Sequence, residues 1–506
     1  MTTRASTVCA LAAAIPGARL HGSGDITVSG VVYDSRLVQP GDLFAALRGA
    51  DFDGHEFVRG AEQRGAVALL VESLVPTELP QIVVANSRRA LAALTAEHYK
   101  HPSQQLGVIG ITGTDGKTTT AYLVDHILRS AGAKTGMVGT VAIRIGDREQ
   151  LHSSRQTTPE SSDIQRYLRH MVDASAAWAI LEATSHGLAM HRLDHVRFAI
   201  AAVTNITREH LDYHGTVENY QRAKATLLER VAADSGVAVV NVDDAGSRAV
   251  EHYATGANII RYSATGGDAD LRALEIHSTK AGSEFILDAG TGGRHECTLP
   301  LIGAFNVANA LCAAGIALAA RVTLDAIAGA LASAPHVPGR MARIEAGQPF
   351  SVVVDYAHTP DAIEKVLTLL RALHPSGRVI AVFGSAGERD VEKRPLQGKI
   401  AAQLADISVI TSEDPRFEDA DAIIAQIAAG AEAAGAVAGK SLFCRTDRRE
   451  AIQLALDLAH PGDCVLLAGK GHERSIIWGR EKLPWDEAAV ARELLRTRRL
   501  EELRGE

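Results

Sequence analysis

Residues 108–120 read VIGITGTDGKTTT, and this stretch decides the fold. Val108 to Thr112 is a β-branched run of the kind that forms a buried strand, and from Thr120 onward TAYLVDHIL sets apolar residues at helical spacing. A glycine-rich turn joins them. Gly113 and Gly116 let backbone N–H groups approach an anion, and the start of the following helix adds partial positive charge. In such a loop Lys117 reaches terminal phosphates and the Thr118 hydroxyl suits magnesium. The match to G-x-x-x-x-G-K-[ST] is incomplete, because its first glycine falls at Ile111 while Gly110 stands one place early. A plain tight connection is the alternative; strand, Gly-Lys-Thr and helix together favour an ATP-binding loop.

Outward from the loop, 506 residues make room for about three domains. Hydrophobic content of 46% with 22% charged residues is that of an ordinary globular chain. The net charge of −8 argues against a nucleic-acid-binding surface but permits local basic pockets. Cys9, Cys297, Cys312, Cys444 and Cys464 form no C-x-x-C pair, so neither a zinc site nor a disulfide framework is indicated and a reducing cytoplasm fits. The apolar run Val8 to Ile15 imitates a signal-peptide core, but only Arg4 precedes it and a folded pattern follows. No stretch is long enough to span a membrane. The expectation is a cytoplasmic monomer with neither nucleic acid nor membrane as partner.

The pattern predicts an α/β protein of three domains. Residues 1–103 carry short strands and one or two helices, ending in an amphipathic helix from Arg88 to Tyr99 and the His101-Pro102-Ser103 break. Residues 104–337 alternate strands and helices, which argues a mostly parallel sheet; strands are predicted at Val108 to Thr112, Ala179 to Glu182, Ala199 to Thr204 and Val237 to Val242. Residues 338–506 restart the alternation after the Pro338-Gly339 turn, with strands in SVVVDYA, RVIAVFGSA, ISVITSED and DCVLLAGKG, as in a second doubly wound domain.

Several residues downstream of the loop acquire a use if they meet a nucleotide. Glu182 ends a predicted strand, where a hard oxygen ligand for Mg²⁺ is wanted, and His210 in NITREHLDYHG is a further ligand candidate or a helix-cap histidine. Lys224 lies in a helical pattern that fits a surface lysine equally well. Arg340 follows the interdomain turn, where a guanidinium clamps a γ-phosphate or closes a structural ion pair. The third domain sets polar clusters at its predicted strand ends: Asp355-Tyr356-Ala357-His358, Arg389-Asp390, Glu413-Asp414-Pro415-Arg416 and Gly469-Lys470-Gly471-His472-Glu473. Arginines mixed with carboxylates there suit a zwitterionic small molecule.

GITGTDGKTTT, TTPE, ATSHGL, YHGTVENYQRAK, GAFNVANA, VPGRM, DYAHTPDA, FGSAGERDVEKRP, DPRFED and AGKGHE, in this order, resemble the Mur ligase family. The resemblance covers nearly the whole chain, including DSR and GDLFAALRG near the start. It implies a small N-terminal α/β domain that binds UDP, a central P-loop ATPase-like parallel-sheet domain and a C-terminal Rossmann-like domain that binds an amino acid. The implied reaction is ATP- and Mg²⁺-dependent amide formation between UDP-N-acetylmuramoyl-L-alanyl-D-glutamate and a diamino acid in peptidoglycan synthesis. It runs through an acyl phosphate and leaves ADP and phosphate.

By the same resemblance, Gly113, Thr114, Asp115, Gly116, Lys117, Thr118 and Thr119 hold phosphates, while Asn309, Arg340, Asp355 and Tyr356 surround adenine, γ-phosphate and ribose. Thr118, Glu182, His210 and Lys224 are implied around the metals, with Lys224 carbamylated by CO₂. Lys117, Glu182, His210, Lys224 and Arg340 form the implied catalytic set. Ser35 contacts the uridine diphosphate, and Thr157, Thr158, Ser185 and Arg192 line the muramoyl-peptide site. Arg389, Asp414, Arg416, Gly469 and Glu473 fall on positions for meso-diaminopimelate. Asp414 stands where the family has asparagine. Retained Arg416 favours a distal carboxylate and hence meso-diaminopimelate, whereas the charge of Asp414 favours a distal ammonium, as in L-lysine or L-ornithine. A folylpolyglutamate or cyanophycin-type synthetase is the other ligase reading, against which DSR and GDLFAALRG speak. A non-catalytic nucleotide-binding protein is the reading from another class. Asp115 also departs from the family's asparagine.

Overall fold

The computed structural model describes residues 6–49, 52–151 and 156–505; Met1, Arg4 and Glu506, which enter the expectations above, lie outside them. Three sheets, each with its own buried layers, divide the chain. The first is five-stranded, in the order Arg19–His21, Gln81–Val83, Ala68–Val71, Asp42–Ala45 and Gly30–Val32, parallel except for its first pair. The apolar run at the start of the chain belongs to it. Val8–Ala13 is a helix whose Val8 and Leu11 are fully buried with Leu43, Leu70 and Leu94.

The central sheet has eleven strands, with Gly107–Thr112 between Trp178–Glu182 and Ile200–Val203. Its pairings from Thr135–Val138 across to Leu271–Thr279 are parallel. At one edge stands the antiparallel hairpin Ala142–Ile145 and Arg148–Leu151, and at the other the antiparallel strands Leu271–Thr279, Gly282–Asp288 and Arg294–Leu299. Helices Lys117–Ser130 and Ala304–Ala319 cover one face and Val217–Ala233 the other, which explains why the parallel strands are continuous apolar runs.

The third sheet has six strands, five of them parallel, in the order Ala342–Arg343, Ser351–Asp355, Cys464–Ala468, Val379–Phe383, Ile407–Ile410 and Leu442–Cys444. Its strand order switches direction beside Ser351–Asp355 and Val379–Phe383, both next to Cys464–Ala468. The loops after these three strands therefore share one edge, where open α/β sheets take ligands. Among the described residues no helix is long and apolar enough to cross a membrane.

Candidate active site

The loop after Gly107–Thr112 is closed by contacts that only glycine permits. A Cβ on Gly113 would lie 1.8 Å from Thr204 Oγ1, and one on Gly116, whose φ is +83°, would lie 2.3 Å from Asn309 Oδ1. Neighbouring strands clasp the turn: Thr114 N donates to Asn205 O (2.7 Å), Asp115 N to Asn205 Oδ1 (2.9 Å), and Thr204 Oγ1 to Asp115 O (2.5 Å). Lys117 starts the helix and folds back over the loop, its Nζ donating to Gly113 O (2.9 Å) and Thr114 O (2.7 Å). Thr118 and Thr119 are buried in the first turn of that helix. Asn309 abuts Gly116 and bonds Asn306, which places it at the phosphate loop.

Glu182, 2% exposed, ends the adjoining strand. Its carboxylate accepts from Thr118 Oγ1 (2.9 Å), Thr140 N (2.8 Å) and Thr140 Oγ1 (2.9 Å). Three donors satisfy its oxygens in a buried place. Thr140 also donates to Thr157 Oγ1 (3.0 Å), and Thr158 Oγ1 donates to the backbone oxygen of Glu182 (2.7 Å). Arg192 donates to Thr158 O (3.0 Å) and meets Glu160, which Arg88 of the first domain also grips (2.6 Å). Ser185 is buried at the start of helix Ser185–Ala189, which Thr184 caps. Thr157, Thr158 and Arg192 thus gather within one hydrogen-bond network around the phosphate-side carboxylate, while Ser185 follows Thr184, which bonds Thr158 (3.0 Å). Ser35 lies apart in the 3₁₀ turn Ser35–Leu37, half-buried, near the Tyr33–Asp163 bond (3.3 Å) between the first two domains.

Lys224 is not a surface lysine. It is 2% exposed, its Nζ donates to Gly113 O (2.6 Å) and stands 4.6 Å from the centre of the Tyr220 ring. Burial first, and then the Lys117 charge, press its ammonium well below the usual lysine range. Tyr220 is fully buried, its hydroxyl bonded to Thr114 (3.1 Å) and Glu209 (3.2 Å). Glu209 is held at about 2 despite burial, because His210, Lys117, His358 and Lys224 surround it. His210 occupies the cap position before helix Leu211–His214, 3.6 Å from Glu209 and 4.7 Å in ring separation from His186. Burial lowers the pKa of His210. Among the described residues, no group of three or more His, Cys, Asp or Glu side chains is arranged to hold a metal. The oxygens that are assembled, Thr118 Oγ1 and the Glu182 carboxylate, form a hard donor set that suits Mg²⁺ completing its shell with water and phosphate.

Asp115 is the exception in the cradle. One of its carboxylate oxygens is buried without a hydrogen-bond partner, and its pKa is raised by burial and by Glu209 against the pull of Lys117.

The turn from the second to the third domain brings Arg340 over the Tyr356 ring at 4.6 Å, and a Cβ on Gly339 would strike His472 N at 2.2 Å. Both oxygens of Asp355 are occupied by backbone donors, from Met341 N and Ala357 N at 2.7 Å each, so Asp355 shapes this turn. In the amino-acid region the organising residue is Lys470, which is fully buried. Its Nζ donates to Asp414 (3.0 Å) and to Glu473. Asp414 also accepts from Ile477 N (2.9 Å). Asp414 therefore has a cation of the protein beside it, although Lys470 divides its one charge between Asp414 and Glu473. Gly469 has φ +101° beside Glu413, and Arg416 has φ +55° with its backbone joined to Ile477 and Gly479. Arg389 is exposed in its own loop after Val379–Phe383, not joined to that cluster by any contact among the described residues.

Sequence reasoning gave no role to Thr140, Glu209 or Tyr220, and it placed Lys470 in a polar cluster without singling it out. Glu209 and Lys470 stood inside quoted motifs, so adjacency to His210 and Gly469 was an available signal. Thr140 follows a strand far from the loop in sequence and carried none.

A parallel-sheet domain with a phosphate loop, coupled to a doubly wound domain that holds charged residues at its ligand edge, defines a nucleotide-dependent ligase. Residues 27–99 match the Mur ligase family catalytic domain, 111–317 the Mur ligase middle domain, and 339–471 the Mur ligase glutamate ligase domain. A UDP-N-acetylmuramyl-tripeptide synthetase of Roseiflexus sp. (strain RS-1) is 49% identical, covering 92% of this chain and 94% of its own. A diaminopimelate ligase acting on UDP-N-acetylmuramoyl-L-alanyl-D-glutamate, from Geobacillus kaustophilus (strain HTA426), is 40% identical over 96% of this chain and 98% of its own. A solved structure of a ligase of that same name has TM-score 0.66 and 31% identity, covering 98% of this chain and 100% of that one. The chain belongs to the Mur ligase family and is an ATP-dependent, peptide-bond-forming ligase.

Proposed function

We propose that this ligase joins the γ-carboxyl of D-glutamate in UDP-N-acetylmuramoyl-L-alanyl-D-glutamate to an amine of a diamino acid, meso-diaminopimelate in first place, as a step of peptidoglycan synthesis. The observation that carries the reading is the node at Glu182, where the phosphate-loop Thr118 and the Thr140–Thr157–Thr158–Arg192 network meet. A carboxylate substrate on the second network lies next to a phosphoryl donor on the first. The relatives that carry the diaminopimelate name favour that amine.

The carboxylate oxygen attacks the γ-phosphorus, the bond to the β,γ-bridging oxygen breaks, and ADP leaves. The amine then attacks the acyl carbon of the acyl phosphate, inorganic phosphate leaves, and the amine's proton passes to solvent. Lys117, Arg340 and the N-terminus of helix Lys117–Ser130 offset charge on the transferring group. Bound Mg²⁺ supplies Lewis-acid charge neutralisation, with Thr118 and Glu182 to hold it and His210 as a further ligand. Burial lowers the pKa of Lys224 and so eases loss of its proton; the free amine would add to CO₂, its second proton passing to solvent, to give an anionic carbamate where an ammonium would repel a metal. We take residues 1–103, 104–337 and 338–506 as the functional domains, with Ser35 on the uridine diphosphate and Arg389, Arg416, Gly469 and Glu473 on the amino acid.

Phosphate release from purified protein with ATP, Mg²⁺ and the muramoyl dipeptide tests this, with diaminopimelate, lysine or ornithine in separate wells. Release with diaminopimelate alone is expected. Turnover with another amine and none with diaminopimelate would overturn the choice of substrate, and silence throughout would leave the fold without the proposed activity.

A further inference from the structure

Arg394 and Arg448 are the two largest fully buried side chains among the described residues, and both lie in the third domain. A charge removed from water is costly, so each depends on its partners. Arg394 bonds Glu418 (2.8 and 3.0 Å), Gln426 (2.9 Å) and, at 3.3 Å, the Ala386 carbonyl, while its Nε is buried without a hydrogen-bond partner. Arg448 is more completely engaged. It opens helix Arg448–Leu458 and pairs with Glu487, the first residue of helix Glu487–Gly505, and neither side chain is exposed. Its Nε and Nη2 donate to the Glu487 carboxylate (3.0 and 2.6 Å), which also accepts from the Trp485 indole (2.6 Å).

The same guanidinium reaches two loops of the ligand edge. Nη1 donates to Ser412 O (3.1 Å) and Nη2 to Ala468 O (2.7 Å). Ser412 O belongs to the peptide unit that leads into Glu413-Asp414-Pro415-Arg416, and Ala468 O to the unit that leads into Gly469-Lys470-Gly471-His472-Glu473. A peptide unit is planar, so fixing its oxygen fixes the direction of the N–H and Cα that follow. One rigid fork therefore sets how both loops leave the sheet. The loops then meet each other: a Cβ on Gly469, whose φ is +101°, would stand 3.1 Å from Glu413 Oε2, and Lys470 Nζ bonds Asp414 (3.0 Å).

Packing of the two helices does not require this charge. Ala451, Ile452, Ala455 and Leu456 of one and Ala491, Leu494 and Leu495 of the other already enter a shared apolar core. An apolar pair of similar volume in place of a buried ion pair is often neutral or stabilising. Such a pair cannot hold two carbonyl oxygens in a fixed direction. We infer that Arg448, held by Glu487, is a positioning residue for the amine substrate: it aims the two loops that receive the diamino acid and touches no ligand itself. The inference rests on the proposed reading of this edge as the amino-acid site.

The test is the double variant Arg448→Met/Glu487→Gln, which removes both charges together, leaves no lone ion in the core and keeps an acceptor for Trp485. Phosphate release is measured in the full chain with Mg²⁺, varying in turn ATP, the muramoyl dipeptide and the amine that the wild type uses, beside denaturant unfolding. The amine KM is expected to rise about tenfold or more, because a displacement of ~1 Å at a reacting group costs on the order of 10²-fold. The KM values for ATP and the muramoyl dipeptide, and the unfolding midpoint, are expected to hold. Arg448→Lys, which keeps a cation for Glu487 but not the planar fork, is the second variant and is expected to show the same selective rise. A selective rise in whichever variant keeps the wild-type circular dichroism spectrum supports the inference. An unchanged amine KM there, a comparable rise in all three KM values, or loss of the folded spectrum in both variants overturns it. Wild-type protein silent with diaminopimelate, lysine and ornithine overturns the substrate reading and this inference with it, whereas wild-type turnover beside an unchanged variant overturns the inference alone.

Discussion

The nucleotide cradle and the amino-acid pocket solve one problem, holding charge in a buried place, in opposite ways. In the cradle, Glu182 is held by three neutral donors and Lys117 by two backbone carbonyls, and among the described residues neither side chain has an ion pair. In the pocket, buried Lys470 lies between Asp414 and Glu473, so its charge is met by carboxylates of the protein itself. Neutral partners leave the charge of the cradle available to phosphate and metal. Pairing within the protein fixes the shape of the pocket, while Arg389 stands exposed in its own loop. The cradle is built to act on a reacting group and the pocket to shape a binding surface.

The contrast can be broken where the effects are largest. Lys470→Met removes the buried cation that bonds Asp414 and Glu473, and a loss of about 3–5 kcal/mol of stability is expected in denaturant unfolding. A loss below about 1 kcal/mol would mean that the cluster is solvated and the contrast false. Glu182→Gln keeps the shape and removes the charge, so phosphate release should fall about 10²–10³-fold with the folded circular dichroism spectrum retained. A spectrum typical of unfolded chain would assign Glu182 to stability instead.

Glycine variants sharpen the comparison further. Gly116→Ala meets Asn309 Oδ1 at 2.3 Å, whereas Gly469→Ala meets Glu413 Oε2 at 3.1 Å, both at positive φ. Strain of about 1–3 kcal/mol is common to both, so Gly116→Ala should show the larger loss in melting temperature and nucleotide affinity. Equal losses in both variants would make backbone strain, and not the closeness of the cradle, the controlling factor.

The smallest expected effect is at Asp115. Its pKa is raised in the folded protein, so its ionised form is disfavoured there and subtracts from stability at neutral pH. Asp115→Asn should therefore gain stability at neutral pH, and the gain should vanish as pH falls below the ordinary aspartate value, where both states are protonated. ATP affinity by calorimetry should hold or tighten. A large loss of affinity would give the carboxylate a task of its own.

The three-domain α/β plan was legible because periodicity is local: parallel strands such as Val237–Asn241 and Cys464–Ala468 are apolar on both faces and read as continuous runs. The antiparallel strands Leu271–Thr279, Gly282–Asp288 and Arg294–Leu299 were not read, since their edge position makes them mixed and weakly patterned. At the site, Gly113, Lys117 and Thr118 declared themselves by spacing. Lys224 did not, because nothing in YQRAKATLLE distinguishes a helix face turned to solvent from one turned to Gly113 O.

The sequence by itself determined the order of strands and helices, the phosphate loop and the family, because these depend on neighbours a few residues apart or on motifs kept in order along the chain. Only the tertiary structure decided the charge state and company of each site residue. Asp414 meets a lysine 56 positions away, and Thr118 meets a carboxylate 64 positions away. Electrostatic partners are set by distance in space and by exclusion of water, and neither is written in local order along the chain.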